Sequence, residues 1–254
     1  MIRNFPFSKY HGAGNDFILI DDREAHFPCD SFYIKQLCHR QYGIGADGLI
    51  LLQRSTLAHG RMRIFNADGG EAEMCGNGIR CLFDFAYRLG AIEKEARIEV
   101  SSSIYKCSFE KNQVKVLLPM PTYCPDTGIV NSGVPHFVQF VENLDHFEVE
   151  KRGREIRFDV RFMPHGSNVT FAEIIKDKVK IRTYERGVER ETLACGTGAV
   201  AAAFLVLQKF ASKHPVSIVT SSNEKLEVVQ TKNGMELIGP ATEVFTGIIK
   251  GDFR

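Results

Sequence analysis

Residues 74–81 read MCGNGIRC and residues 193–203 read LACGTGAVAAA, so Cys75 and Cys195 each stand directly before a Gly-x-Gly step. The likeness extends upstream. RIFNADGGEAEMCGNG (63–78) lies over IRTYERGVERETLACGTG (181–198), with one extra residue in the second copy. Each copy reads as a strand, an acidic turn, Cys-Gly-x-Gly and a helix. A duplicated unit predicts two similar sheet-plus-helix domains facing each other across a cleft.

Working outward from the motifs, FILID (17–21), LILLQ (49–53) and RMRIFNA (61–67) read as strands. Asp30–Tyr42 carries Ile34, Leu37, Cys38 and Tyr42 at helical spacing, with Gly43 to close it. The helix after Cys75 puts Ile79, Leu82, Phe83, Ala86 and Tyr87 on one face, with Gly90 as its cap. HFVQFV, IRFDVRF and KVKIRTY read as strands of the second half, KRGREIR (151–157) as a solvated strand edge or loop, and Gly196–Phe210 as a buried helix. Pro119, Pro121 and Pro125 suggest a crossing between domains.

The 254 residues carry 44% apolar and 25% charged side chains and a net charge of +1, which predicts a folded globular protein with no basic footprint for nucleic acid or membrane. The longest apolar run, Ala199–Leu207, is far short of a bilayer span. No export signal is evident at the start, so a cytoplasmic protein with reduced thiols is expected. The seven cysteines contain no Cys-x-x-Cys pair, and Cys29, Cys38, Cys81, Cys107 and Cys124 are assigned to packing. Gly43, Gly45 and Gly48 in GIGADG match a dinucleotide fingerprint in the wrong context, helix before strand, so nucleotide binding is rejected. No phosphate loop and no evident Schiff-base lysine appear; neither a cofactor nor a metal is expected.

A helix N-terminus exposes unpaired N–H groups and about half a positive charge. Glycines there admit a carboxylate to the backbone, and a cysteine in the same field is biased toward thiolate from its usual pKa of about 8.5. Two such spots gripping one carboxylate set a thiol on each face of the neighbouring carbon. One thiolate removes a proton, the other thiol returns one to the opposite face, and the centre inverts. The sulfurs would then lie roughly 6–7 Å apart around the substrate, and their titration would belong to the pair.

Together HGAGNDF (11–17), FNADGGEAEMCGNGIRC (65–81), GVPHF (133–137) and YERGVERETLACGTGA (184–199) resemble the diaminopimelate epimerase family. The resemblance implies an α/β (α+β) fold of two pseudo-symmetric domains, each a curved, mostly antiparallel sheet around a central helix, with the active site in the cleft. The expected division is 1–118 plus 242–254 carrying Cys75, and 119–241 carrying Cys195. It implies a cofactor-independent isomerase interconverting LL- and meso-diaminopimelate for lysine and peptidoglycan precursors, with a small-molecule amino acid as substrate, and it allows a homodimer. Cys75 and Cys195 match the acid/base pair. Gly76–Asn77 and Gly196–Thr197 match the carboxylate cradle; Asn15, Asn66, Asn168, Glu185 and Arg186 match substrate contacts; His136 and Glu185 match positions that tune the thiols. His11 reads as shaping its turn.

Three departures stand out: Val134 where the family has Asn, Gly48 where some members have Gln, and the extra residue at Glu189–Arg190. They raise a relaxed-specificity racemase accepting shorter acidic amino acids such as glutamate. A proline racemase relative, a thiol redox switch and a non-catalytic amino-acid binder are the other readings.

Overall fold

The protein is described by a computed structural model covering residues 4–209 and 215–251. It divides into two compact units, residues 1–116 with 240–254, and residues 117–239.

The first unit begins with a hairpin, β1 (Phe5–Gly12) and β2 (Asn15–Asp21). Ala13 and Gly14 hold φ of 56° and 89°, the left-handed pair that a two-residue hairpin turn demands. His11 Nδ1 accepts the Gly14 N–H, the turn-shaping role expected of it. There follow α1 (Ser31–Cys38), β3 (Gly48–Gln53), β4 (Gly60–Asn66), β5 (Glu71–Ala72), α2 (Gly76–Arg88), β6 (Glu95–Val100), β7 (Ser103–Glu110) and β8 (Gln113–Leu118), whose last two residues belong to the second unit. The second unit holds β9 (Thr122–Cys124), β10 (Ile129–Asn131), β11 (Pro135–Phe140), α3 (Val149–Arg157), β12 (Asn168–Ile175), β13 (Lys178–Glu185), β14 (Arg190–Thr192), α4 (Gly196–Lys209), β15 (Val216–Val219), β16 (Lys225–Thr231) and β17 (Gly234–Gly239). The chain then returns to the first unit as β18 (Thr242–Ile249), paired antiparallel to β1.

The repeat is visible strand by strand. The ladder β1–β2–β3–β4–β6–β7 alternates antiparallel, parallel, antiparallel, parallel, antiparallel. The ladder β10–β11–β12–β13–β15–β16 follows the same order of directions. Each sheet curls about one helix: α2 touches β1 to β4, and α4 touches β11, β12, β13, β15, β16 and β17. This wrapping explains why β3, GLILLQ, is buried at nearly every position, as a strand covered on both faces must be. Leu49 and Leu51 join the cluster with Ile34 and Leu37 of α1, while Ile50 turns to α2. In the second unit Val169 and Phe171 pack with Val149 and Ile156 of α3, and Thr170 turns to α4.

Several local expectations change. Helix α1 stops at Cys38 rather than Tyr42; Gly43 lies so close under its last turn that a Cβ would sit 2.1 Å from the Gln36 carbonyl. Residues 151–157 are not a strand edge but part of α3, followed by a 3-10 turn at Val160–Phe162. The alternation in IRFDVRF mimics a strand, but Val149, Gly153 and Ile156 form one buried helical face, and Gly153 lets Tyr184 approach to 2.4 Å of where a Cβ would be. Helix α2 is buried almost all round, Arg80 and Asp84 included, rather than on one face. Gly90, φ 67°, ends it with paired bonds from Gly90 N to Tyr87 O and Ala91 N to Ala86 O. The expected last residue of the second central helix, Phe210, lies outside the described residues. Cys29 and Cys124 are exposed, so packing explains only Cys38, Cys81 and Cys107, whose burial pushes their thiols up. No described helix is long and apolar enough to cross a membrane.

Candidate active site

Cys75 is the N-cap of α2, with φ −142° and ψ 116°. Its carbonyl accepts the first helical bond from Ile79 N (3.0 Å) and its sulfur accepts from Gly78 N (3.4 Å). A sulfur doing the work usually given to a serine hydroxyl is thereby fixed against the positive end of the helix. Cys195 holds the matching place, its carbonyl bonded to Ala199 N at 2.9 Å.

The second glycine of each motif serves packing rather than ligand approach. A Cβ on Gly78 would meet Ile50 Cδ1 at 2.9 Å and Ile64 Cδ1 at 3.1 Å; on Gly198 it would meet Thr170 Oγ1 at 2.9 Å and Thr183 Oγ1 at 3.1 Å. Only glycine lets these helix starts seat on their sheets.

Around Cys75 a chain of amides runs between two charges. Asp47 accepts from Asn15 Nδ2 (2.8 Å), so the Asn15 oxygen points the other way. That oxygen accepts from Asn77 Nδ2 (3.2 Å) and from the Cys75 thiol (3.7 Å). The Asn77 oxygen accepts from Arg80 Nη2 (2.9 Å). A carboxylate at one end and a guanidinium at the other set both amide orientations. Asp47 is itself tied to Arg40 at 2.7 Å, and Arg40 to Asp16 at 2.8 Å. Asn66 ends β4, opposite Gly48 in the β3 register, and its backbone N–H donates to Gly70 O. Gly76 and Asn77 form the first turn of α2, whose leading amides have no partner within the helix.

The second unit builds a different proton environment at the same place. Where Ile50 and Ile64 face Gly78, the buried hydroxyls of Thr170 and Thr183 face Gly198. Arg186 N donates to Asn168 Oδ1 (2.7 Å), which turns Asn168 Nδ2 toward His136 Nε2 (3.3 Å). Nε2 is therefore the acceptor nitrogen, and the ring proton sits on Nδ1, donated to Thr170 Oγ1 at 3.1 Å. Thr170 passes a bond to Thr183 at 3.1 Å. The Thr197 hydroxyl donates to His136 Nε2 (2.9 Å), and its oxygen lies 3.5 Å from the Cys195 sulfur. Cys195, 4% exposed, also lies 3.6 Å from Glu185 Oε1 as donor. Burial, with Arg186 nearby, pulls the His136 pKa down to about 3, so the ring is neutral at physiological pH.

Within the first unit, then, Asn15, Asn77 and Cys75 come together; within the second, His136, Asn168, Glu185, Arg186, Thr197 and Cys195 do. His136 reaches Cys195 through Thr197, a hydroxyl that sequence reasoning took only for its backbone. Asp47, Thr170, Thr183 and Arg80 were also missed. Asp47 sits in the GIGADG stretch weighed only for its glycines, and Arg80 interrupts the apolar side of α2. The extra residue before Cys195 folds inward. Glu189 takes φ 56°, its N–H bonds Glu185 O (2.8 Å), and its carboxylate accepts from Gly187 N (3.0 Å) and Arg157 Nε (3.2 Å).

A family model for diaminopimelate epimerase matches residues 7–122 and 128–244. The diaminopimelate epimerase of Chlorobaculum tepidum is 41% identical over 254 residues, covering 94% of this chain and 98% of its own. That of Methanocella arvoryzae is 37% identical over 273 residues, covering 97% of each. Among solved structures, a hydroxyproline epimerase from Agrobacterium vitis with bound trans-4-hydroxy-L-proline superposes with a TM-score of 0.73 over 98% of this chain and 91% of its own, at 13% identity, which speaks to the fold. Duplicated N-cap cysteines on curled sheets, read with relatives matched over more than nine-tenths of the chain, lead to one assignment: the chain belongs to the diaminopimelate epimerase family and is an isomerase.

Proposed function

We propose that the protein interconverts LL- and meso-diaminopimelate by a two-cysteine mechanism that needs no cofactor, supplying lysine and peptidoglycan precursors. The observation that carries it is the pair of N-cap cysteines, each at the positive end of its unit's central helix. One cysteine acts as thiolate and takes the α-proton; the other, as thiol, protonates the opposite face. The carbanion's charge spreads into the α-carboxylate, which the leading amides at Gly76–Asn77 and Gly196–Thr197 stabilise. Afterwards the protonation states are exchanged, which suits the enzyme to the reverse reaction.

Neutral His136 and Glu185 tune Cys195. The thiol hydrogen bond to Glu185 favours the protonated form, and the Thr197 hydroxyl, donated to the neutral His136 Nε2, holds an acceptor oxygen 3.5 Å from the sulfur. Asn15, Asn66, Asn168, Glu185 and Arg186 contact the substrate, whose two zwitterionic ends call for paired amide, carboxylate and guanidinium groups. The inward fold of Glu189 supports a strict enzyme over the relaxed racemase, because the extra residue is spent on a bond to Arg157 and leaves Arg186 tied to Asn168 and His165.

The test is turnover of LL-diaminopimelate, L-glutamate and L-proline by the reduced protein, with products separated on a chiral column. Conversion of LL- to meso-diaminopimelate alone is expected. Inversion of proline or glutamate at a comparable rate, or of nothing, overturns the reading.

A further inference from the structure

Among the described residues Arg80 is the largest fully buried side chain. Its guanidinium donates to three oxygens, Gly76 O (3.0 Å), Asn77 Oδ1 (2.9 Å) and Pro240 O (3.3 Å), and to no carboxylate among the described residues. A buried charge with only neutral partners is costly, and Arg80 lies one turn into α2, where the helix's own positive end repels it.

The neighbouring carboxylates are already engaged. Asp84 binds Tyr10 and Arg88, and Asp16 and Asp47 bind Lys9 and Arg40. Glu243 of β18 acts electrostatically on Tyr10 and Arg88. The anions left to answer Arg80 are the thiolates of Cys75 and Cys81. Cys81 is fully buried and stays a thiol. Cys75 is half-buried, already accepts an N–H from Gly78, and its turn of helix is the one that Arg80 grips.

The second copy lacks this device. The residue five places after Cys195 is Val200, as Arg80 is five after Cys75. Cys195 has instead a carboxylate 3.6 Å away, against which a thiolate would be repelled.

We propose that Arg80 is a positioning residue that makes Cys75 the thiolate of the resting cysteine pair and leaves Cys195 the thiol. The cation supplies the field, and its bond to Asn77 holds the amide chain that ends on the Cys75 sulfur. The inference rests on the two-cysteine reading above and adds the order in which the pair gives up its protons. The Asn15 oxygen, 3.7 Å from the same sulfur, favours the thiol, but a weak bond to a neutral amide is outweighed by a buried full charge.

The test is alkylation of the reduced protein by iodoacetamide across pH, with each cysteine followed separately by peptide mass spectrometry. In the native protein the pH midpoint for Cys75 should lie below that for Cys195; equal or reversed midpoints overturn the proposal without any variant. Arg80→Met should raise the Cys75 midpoint by about one pH unit or more, an alkylation rate near pH 7 about tenfold lower, while Arg80→Lys restores most of it. A Cys75 profile unmoved in a folded Arg80→Met protein also overturns it. If Arg80→Met does not fold, the native midpoints and Arg80→Lys decide. Alkylation needs no turnover, so a protein that inverts no diaminopimelate yet shows these midpoints refutes the proposed reaction and not the order of deprotonation.

Discussion

Replacing Thr197 by valine keeps the side chain's shape and exchanges one hydroxyl for a methyl, which isolates the link between Cys195 and His136. That hydroxyl lies 2.9 Å from His136 Nε2 and 3.5 Å from the Cys195 sulfur. Losing two hydrogen bonds at about 1 kcal/mol each sets an upper cost near 2 kcal/mol. His136 Nε2 keeps the Asn168 amide at 3.3 Å, so no buried nitrogen is orphaned and the fold should survive. The backbone N–H of residue 197 is untouched, so KM for diaminopimelate should change little. The proton step should suffer, with kcat about a hundredfold lower, the low end of what a positioned acid or base contributes, because Glu185 still reaches Cys195. Thr197→Ser returns the hydroxyl and should recover most of the rate. Initial rates in both directions on a chiral column, with urea unfolding as the fold control, make the comparison. A folded valine variant with native kcat, or one in which KM alone moves, refutes the relay.

Other outcomes follow from the same geometry. Gly78→Ala and Gly198→Ala should each cost about 1–3 kcal/mol through overpacking, read as a lower urea midpoint. Gly198→Ala should also lose kcat out of proportion, since it displaces the Thr170 that holds His136; equal activity in the two variants counts against this. Stability should fall with acid in a set window. Burial, with Arg186 close by, holds His136 near 3 in the fold against 6.5 unfolded, so below pH 6.5 the unfolded chain binds the extra proton. The loss is about 2 kcal/mol by pH 5. Asp16, pushed up by burial but held to about 2 by hydrogen bonds from Arg40 and Lys9, adds its own loss only below its ordinary 3.8. Unfolding free energies equal at pH 7.5 and pH 5 would contradict the buried neutral imidazole. L-glutamate should exchange its α-proton at least about a thousandfold more slowly than diaminopimelate, since it leaves groups meant for the second charged end unpaired. Deuterium exchange of glutamate at a comparable rate restores the relaxed racemase.

Much of this was readable from residues alone, for identifiable reasons. Cysteine before Gly-x-Gly marks a helix start whichever fold surrounds it, and its duplication revealed the repeat. Strands such as LILLQ and KVKIRTY announced themselves by composition. Segment 151–157 did not, because its burying partner, Tyr184 over Gly153, comes from a distant strand, while IRFDVRF alternates locally like a strand. The site divided the same way. Cys75, Cys195 and the asparagines sit in recognisable motifs, but a hydroxyl relay through Thr197, Thr170 and Thr183 is assembled by the register of three elements. Arg80 and Asp47 are ordinary charged residues in sequence; burial at one and the Asn15 amide at the other give them their parts.

The account stands most directly on the fate of one hydrogen. LL-diaminopimelate incubated with the protein in deuterated water should gain one deuterium at the inverted carbon of each meso product, and Cys75→Ala and Cys195→Ala should each abolish inversion. Retention of the original hydrogen in the product, or undiminished inversion by either single variant, contradicts removal of one hydrogen by the first thiolate and delivery of another by the second thiol.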